Sequence, residues 1–494
     1  MTVTTRLGRS RVVPASLLTV AFFLDTMSST SVFAAGPAIE SSIGLSQAAL
    51  QWTFTAATLP AGALLLAGGQ LADLHGRRRM FRIGLVILVL GSLACGSADA
   101  PGELISARAA QGIAGALLMP AALSLLLELF PGDDRISSSR QRSSPAGSAP
   151  RRPRLRRSAA DDRARALAAW SAVGGAGATA GLLFGGLVTQ GLGWSWVFWI
   201  NVPIGVGILA LSPCLPPAAA SDGTSRGLDP AAVITVSTGL ACFLYAISEA
   251  PVRGWSSTGT LVAFLAAGGF LGAFCRIEAR SRQPMIPPHL LRLTTVLRGN
   301  LVLLLAGMCV DGLLFCLTLY AQRQLGFSPM RFGLITAVMT VASVGAAYAA
   351  ERMIAVIGAD RVMRLGLWLL CLTCGCFVIT VRYGGSTVPL LAGMLMFGAG
   401  MGCAYVAGSV TALTAVPEAD SGIAAGLQNI AFTLGSTLGV AVFSTVSISL
   451  SVGSAASADR VGLQAGFATG AVIAALGLGA LAARRTARSS WRTR

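Results

Sequence analysis

Lysine is missing from this sequence, and charge of either sign is scarce. All 37 basic residues are arginine, only 20 residues are Asp or Glu, and charged residues make up 12% of the chain. Soluble domains carry about 25% charged residues, so the composition excludes an ordinary soluble protein. The only histidines are His75 and His289, and no His, Cys or acid cluster has catalytic spacing. The C-x-x-C pair of Cys371 and Cys374 has no nearby His ligand, so we interpret these two residues as small packing residues. We therefore expect neither a metal site nor a membrane-embedded enzyme.

Apolar residues take the place of the missing charge. They form 54% of the 494 residues. A run of about 20 apolar residues is long enough to cross the core of a lipid bilayer as a helix. The sequence predicts an all-α membrane protein with fourteen such spans: 13–35, 47–68, 81–99, 103–130, 165–190, 196–216, 229–249, 257–275, 298–320, 331–350, 362–381, 387–416, 422–449 and 462–483.

The distribution of arginine predicts the orientation of these spans. With the N-terminus inside, the alternating connections place 31 arginines inside and five outside, and Arg108 falls within a span. This bias is what the positive-inside rule expects. Both termini are therefore predicted to be cytoplasmic. The net charge of +17 is explained by topology, so the lipid bilayer, and no nucleic acid, is the expected partner.

One stretch occurs twice. Residues Gly76–Leu85 (GRRRMFRIGL) and Gly358–Leu367 (GADRVMRLGL) match at glycine, two arginines, a second glycine and leucine. A repeat of this kind predicts two related halves. The predicted organisation is a cytoplasmic N-terminus, a six-helix bundle, a linker with two additional helices, a second six-helix bundle and a basic cytoplasmic tail, at 1–12, 13–216, 217–297, 298–483 and 484–494.

Residues 131–162 interrupt the first bundle with a segment rich in Arg, Ser and Pro. This composition predicts a disordered cytoplasmic loop. The sequence Asp-Asp-Arg stands at both 133–135 and 161–163, which indicates an insertion between ends that were once adjacent, or a local reading-frame artefact. A dispensable loop is one interpretation, and a regulatory or lipid-binding patch is the other.

Charged residues inside spans are the sharpest functional signals, because each costs at least about 2.5 kcal/mol at a helix centre. Asp25, Arg108 and Asp311 lie within spans, whereas Glu249 lies near an outer edge, where water is expected to reach it. A carboxylate within a span can load and release a proton as access alternates. The alternative is a structural role, in which an acid pairs with Arg108 or with a backbone group.

Span five carries glycine at every third or fourth position, namely Gly174, Gly177, Gly181 and Gly185. This spacing predicts one smooth helix face against which another helix can pack closely. Such a face serves static packing and relative movement equally well, so both interpretations stay open.

Six motifs follow one another along the chain: GGQLADLHGRRR, RAAQGIAGALLMP, GGAGATAGLLFGG, WSWVFWINVPIG, LTLYAQRQLGFSPMRFG and GIAAGLQNIAFTLGSTLGVA. In this order they resemble the motifs of the major facilitator superfamily, and specifically of its fourteen-span drug:proton antiporters of the EmrB/QacA type. The resemblance covers nearly the whole chain except 131–162.

The resemblance implies a major facilitator fold and export of lipophilic, amphipathic drugs or antibiotics by a monomer in the bacterial cytoplasmic membrane. The driving force would be the proton-motive force, without a cofactor. Alternatives are a metabolite facilitator or proton symporter, and a non-transporting membrane sensor. The implied residues are Asp25, Arg108, Gln111 and Asp311 for proton coupling and the cavity, Gly69, Asp73, Gly76, Arg77 and Arg78 for a conformational gate, and Gly177, Gly181, Gly185 and Gly186 for the antiporter glycine motif.

The sequence departs from the family pattern at several positions. The acid usual in span one falls at Ser28, and Asp25 lies about one turn earlier. Leu74 replaces a basic residue after the signature aspartate, and Leu182 replaces a proline in the glycine motif. The second copy of the signature turn has Ala355 where the first has Asp73, so a latch formed by this acid is expected in the first half only.

Overall fold

Within the described residues the chain is helical throughout. A computed structural model describes residues 3–130, 154–216, 230–281, 284, 287–384, 387–417, 420–450 and 456–492. The helices are α1 (Val3–Ile43), α2 (Gln47–His75), α3 (Arg77–Gly96), α4 (Pro101–Leu129), α5 (Arg154–Gly191), α6 (Trp196–Trp199), α7 (Asn201–Leu211), α8 (Pro230–Arg253), α9 (Thr258–Arg280), α10 (Pro288–Arg292), α11 (Thr294–Thr318), α12 (Pro329–Ile357), α13 (Ala359–Tyr383), α14 (Thr387–Leu413), α15 (Ser421–Leu450) and α16 (Ala456–Arg492). A 3₁₀ turn (Ser212–Cys214) follows α7, and a π-helical turn (Leu319–Gln324) follows α11.

Among the described residues, 12 helices are long and apolar enough to cross a membrane, or up to 13 if a bent pair in α2 is one span. The pair is Ala49–Leu65 and Ala67–His75, which are bent by 55° relative to each other and cover most of the predicted span 47–68. The predicted span 165–190 lies in α5, where several side chains fall outside the description. The helical class agrees with the prediction, and the count of fourteen stays a prediction.

The predicted loop 131–162 is wrong at its C-terminal end. Helix α5 begins at Arg154, so residues 154–162 are helical. The physical reason is local: this stretch (RLRRSAADD) is rich in Arg, Leu and Ala, which favour helix, and it is continuous with the span after it. Residues 131–153 lie outside the described residues.

The helices pack as two similar sets, which we call the first half (α1–α7) and the second half (α11–α16). Within them, α1 packs on α5 as α11 packs on α15, α2 on α4 as α12 on α14, and α3 on α4 as α13 on α14. Between the halves, α5 packs on α12 and α2 on α15, and these two pairs exchange under an approximate two-fold rotation. This arrangement is typical of a chain built from two structural repeats.

The repeated glycines have the same backbone conformation. Gly76 joins α2 to α3 with φ +95°, and Gly358 joins α12 to α13 with φ +85°. Positive φ is costly for residues with a side chain, which explains why glycine occupies both turns. The end of the molecule that holds these turns is called the signature-turn end below.

The two additional helices associate with both halves. Helices α8 and α9 pack against each other, and α8 also contacts α2 of the first half and α15 of the second. Only 11% of the apolar window of α9 is buried. Helix α8 thus packs against one helix of each half, whereas most of the surface of α9 is exposed.

Candidate functional site

Arg108 lies on α4 and is almost fully buried, with 2% of its surface exposed. Its Nε donates a hydrogen bond to the carbonyl oxygen of Thr53 on α2 (3.1 Å), and Nη1 donates to Oε1 of Gln111 (2.7 Å). Gln111 Nε2 in turn donates to Oγ of Ser92 on α3 (2.8 Å). Two residues that the sequence placed in one functional group, Arg108 and Gln111, therefore touch each other and tie α4 to two neighbouring helices.

The network continues to two further helices. Nδ2 of Asn201, which begins α7 and is fully buried, donates to Ser28 Oγ on α1 (3.0 Å) and lies 3.5 Å from Ser92 Oγ. Ser28 is the position at which the family usually has an acid. Buried polar groups joined in this way fix a unique packing arrangement. Sequence reasoning did not single out Ser92, Asn201 or the carbonyl of Thr53.

Asp25 on α1 is half-buried and makes no hydrogen bond or ion pair among the described residues. Its carboxylate faces α4 at Gly115, where an added Cβ would lie 3.3 Å from Oδ1. Gly115 is seven residues from Arg108 on the same helix, which corresponds to about 10 Å of helix rise. No hydrogen bond or ion pair joins Asp25 to Arg108 among the described residues, so the alternative of a direct Asp25–Arg108 pairing is not found in this structure.

Asp311 on α11 does not pair with Arg108 either. Its carboxylate accepts a hydrogen bond from the hydroxyl of Ser436 on α15. Ser436 is 8% exposed, and Asp311 is half-buried. Asp311 is thus joined to a helix of its own half.

Helix packing fixes the relative depth of the two acids. In the first half, Gly177 and Gly181 of α5 face the carbonyl groups of Phe23 and Met27; in the second half, Gly435 and Gly439 of α15 face those of Leu304 and Met308 in the same way. Aligning these pairs places Asp311 level with Thr30 and Asp25 level with Ala306. Asp311 therefore lies five residues, or about 7.5 Å, further from the signature-turn end than Asp25 does.

The antiporter glycine motif of α5 faces two different helices. A Cβ added at Gly177, Gly181 or Gly185 would lie 2.9, 2.5 or 2.6 Å from a carbonyl oxygen of α1. A Cβ at Gly186 would instead lie 2.2 Å from the carbonyl oxygen of Pro329, at the start of α12. Three glycines thus allow close packing within the first half, and the fourth allows it between the halves.

The signature turn is tied together by Arg77. Its Nη2 lies 2.9 Å from Asp73 Oδ1 at the end of α2, and its Nη1 lies 2.5 Å from Glu128 Oε1 at the end of α4. Arg78 donates to the carbonyl oxygen of Pro213 (3.0 Å), while a Cβ at Gly69 would lie 3.7 Å from Pro120. Asp73 thus pairs with an arginine of the turn, and its role as a latch stays a prediction. All these contacts join helices of the first half, and Glu128 was not found from sequence.

Glu249 differs from its expected environment. It was predicted to be hydrated at the edge of a span, but it is 8% exposed and its Oε1 lies 2.6 Å from Nε of Arg253. The preceding residue, Ser248, accepts a hydrogen bond at its carbonyl oxygen from Gln51 of α2 (3.3 Å). Packing of α8 on α2 covers this acid, which the sequence pattern of a single helix does not reveal.

A family model described as Major Facilitator Superfamily matches residues 18–140, 143–294 and 299–494. The chain belongs to the Major Facilitator Superfamily. The protein is a multi-pass membrane transporter of a small-molecule substrate and not an enzyme, as the sequence predicts.

Several curated relatives match most of this chain. The puromycin resistance protein pur8 of Streptomyces alboniger is 33% identical over 87% of this chain and 80% of its own length. The cephamycin export protein CmcT of Amycolatopsis lactamdurans is 33% identical, covering 89% and 86%. The multidrug resistance protein Stp of Mycobacterium tuberculosis (strain CDC 1551 / Oshkosh) is 28% identical, covering 86% and 73%.

Solved structures of other transporters share the fold of this chain. A peptide transporter POT in complex with sulfate superimposes with a TM-score of 0.65 at 16% identity, covering 95% of this chain and 94% of that one. The nucleoside transporter NupG gives 0.61 at 12% identity, covering 95% and 98%. At these identities the similarity concerns the fold alone.

Proposed function

We propose that this transporter exports amphipathic small molecules, such as drugs or antibiotics, from the cell in exchange for protons. Export is supported by the names of its relatives, which are resistance and export proteins for puromycin, cephamycin and multiple drugs. Its driving force would be the proton-motive force, because one proton charge moving inward is worth about 2.3 kcal/mol per 100 mV.

The observation that carries proton coupling is the environment of Asp25. It is a carboxylate within a predicted membrane span, it is half-buried, and it has no hydrogen bond or ion pair among the described residues. Intramembrane acids are costly and are usually paired unless they serve a substrate or ion pathway. The nearby cation, Arg108, is occupied by Thr53 and Gln111, so Asp25 is left available to bind a proton.

Asp311 supplies a second acid on the other half and at a different depth. Because it accepts a hydrogen bond from Ser436, its protonation state acts directly on the contact between α11 and α15. We propose that Asp25 carries the proton and that Asp311 couples proton binding to the packing of the second half. The Arg108 network would hold the first-half helices in register while this occurs.

The proposed arrangement in the membrane follows from the charge distribution. Fourteen spans, with both termini on the cytoplasmic side of the bacterial cytoplasmic membrane, would place the signature-turn end inside the cell. Close contacts between the halves lie midway along α2 and α15 and at the end opposite the signature turns. In the proposed orientation this is a conformation closed to the outside. A monomer with a lipophilic substrate completes the proposal.

Proton release from vesicles tests this function. In inverted vesicles that carry a proton gradient, puromycin or ethidium should release protons from the lumen, and Asp25→Asn should abolish this release because the variant cannot lose a proton. The measurement is the fluorescence of a pH-sensitive dye, with equal amounts of each variant in the membrane.

Glu249→Gln is the matched control, since it neutralises another buried acid that is already paired with Arg253. Its vesicles should release protons as the parent does. Proton movement in the opposite direction would indicate a symporter, and release that persists in Asp25→Asn would refute the role given to Asp25.

A further inference from the structure

The two halves are joined by polar contacts at the end opposite the signature turns. Nε2 of Gln322 donates a hydrogen bond to the carbonyl oxygen of Ala34 on α1 (3.0 Å), and the guanidinium group of Arg323 pairs with the carboxylate of Glu40. Among the described residues, Arg323–Glu40 is the one ion pair that links the first half to the second. These side chains therefore act on the relative position of α1 and α11.

Both second-half residues lie in the π-helical turn Leu319–Gln324. The N–H of Leu325 bonds to the carbonyl oxygen of Tyr320 (3.1 Å), which is the i to i+5 pattern of a π-helix. Single π turns are rare and occur frequently at functional sites. Removing the extra residue of such a turn rotates the residues after it by about 100° around the helix axis. The π turn therefore determines whether Gln322 and Arg323 face α1.

The contacts of Gln322 and Arg323 lie next to a buried contact between α1 and α11. Thr318, directly before the π turn, is 1% exposed and lies near Gly36 of α1, where an added Cβ would be 3.8 Å from Thr318 Cγ2. The exposed fractions of the Arg323 and Glu40 side chains are 28% and 23%, so the pair lies at the rim of this junction. It is placed where an exit path between α1 and α11 would open.

We propose that the π turn Leu319–Gln324 and Glu40 form the outer gate of the transporter. In the closed state the turn holds Gln322 and Arg323 on α1. Return of the turn to α-helical geometry withdraws both side chains together and lets the ends of α1 and α11 separate. The gate rests on the proposed alternation of access, but it is defined by a conformational equilibrium that can be measured without substrate.

Labelling of a buried cysteine measures this equilibrium. Thr318→Cys is introduced into a variant in which the ten native cysteines are replaced by serine or alanine, and purified protein in detergent is treated with a maleimide. Arg323→Gln should raise the labelling rate about fivefold, as expected for loss of an interaction of about 1 kcal/mol. The charge-exchanged variant, Glu40→Arg with Arg323→Glu, should return the rate to that of the parent.

Arg331→Gln is the matched control. Arg331 lies at the same end of the molecule, but its guanidinium contacts both lie within the second half: Nη2 bonds to Thr387 Oγ1 (2.7 Å), and Cζ lies 4.0 Å from the ring centroid of Phe327. The labelling rate should therefore not change. Equal rates for the parent and a folded Arg323→Gln variant, or no recovery on charge exchange, would overturn the gate. Proton release that fails while the labelling pattern holds would overturn only the proposed transport function.

The π turn also predicts how its two side chains act in combination. Because both contacts belong to one closed state, Gln322→Ala and Arg323→Gln together should raise the labelling rate by about the product of their separate factors. A double variant that labels no faster than Arg323→Gln alone would show that Gln322 does not help to hold the gate closed. Monodispersity on size exclusion establishes that each variant is folded.

Discussion

At the scale of single residues, Gly181 is a position where added volume has almost no room. A Cβ there would lie 2.0 Å from Thr30 Oγ1 and 2.5 Å from the carbonyl oxygen of Met27. Because backbone must move to accommodate it, Gly181→Ala should destabilise the protein by about 1–3 kcal/mol. Gly175→Ala on the same helix has nothing within 4 Å of the new methyl group and should not. Thermal unfolding in detergent compares the two, and equal midpoints would contradict the packing described.

The residues that could be predicted from sequence are those whose chemistry conflicts with their surroundings. Asp25, Arg108 and Asp311 stand out because a charge in an apolar run is costly. Ser92 could not be found, since serine is common in apolar helices and its partner depends on how the helices cross. Glu128 was missed for a similar reason, because it meets Arg77 only when α3 and α4 pack side by side.

At the scale of helices, α15 is the counterpart of α5. Gly439 faces the carbonyl group of Met308 as Gly181 faces that of Met27, and a Cβ at Gly439 would lie 2.2 Å from that oxygen. We therefore expect Gly439→Ala to lower the unfolding midpoint about as much as Gly181→Ala, by about 1–3 kcal/mol in stability.

Gly426→Ala provides the control on α15, since nothing lies within 4 Å of its added methyl group. A midpoint for Gly439→Ala that matches this control would show that only the first half depends on its glycine face.

Sequence predicted the helices better than it predicted their irregularities. Apolar runs give the approximate spans, because spanning length and the need to satisfy backbone hydrogen bonds leave little choice. The start of α5 at Arg154 was missed, since low hydropathy hides a helix that extends beyond the membrane. The π turn Leu319–Gln324 was not predicted, and the predicted span 298–320 ends within it.

At the scale of the whole molecule, motif order predicted the superfamily, and the repeated turn predicted two related halves. The closed end could not be predicted, because one sequence encodes every state of a transport cycle and these states differ by only a few kcal/mol. The structure resolves this for one state. It places the arginine-rich contacts of the signature turn within the first half and the Arg323–Glu40 pair between the halves.

The connection between α4 and α5 can be tested by deletion. Removing residues 133–160 joins Gly132 to the second Asp-Asp-Arg at 161–163 and removes none of the contacts described above. Shortening a connection changes its closure free energy by only about 0.6 kcal/mol per halving of length. Substrate-driven proton release per molecule should therefore be unchanged. A regulatory or lipid-binding segment predicts instead that release falls, or that it no longer responds to anionic lipid in reconstituted vesicles.

Because the segment contains eight of the arginines counted on the predicted inner side, the deletion also tests orientation. The remaining arginines still favour that side, so the C-terminus should stay on the predicted cytoplasmic side.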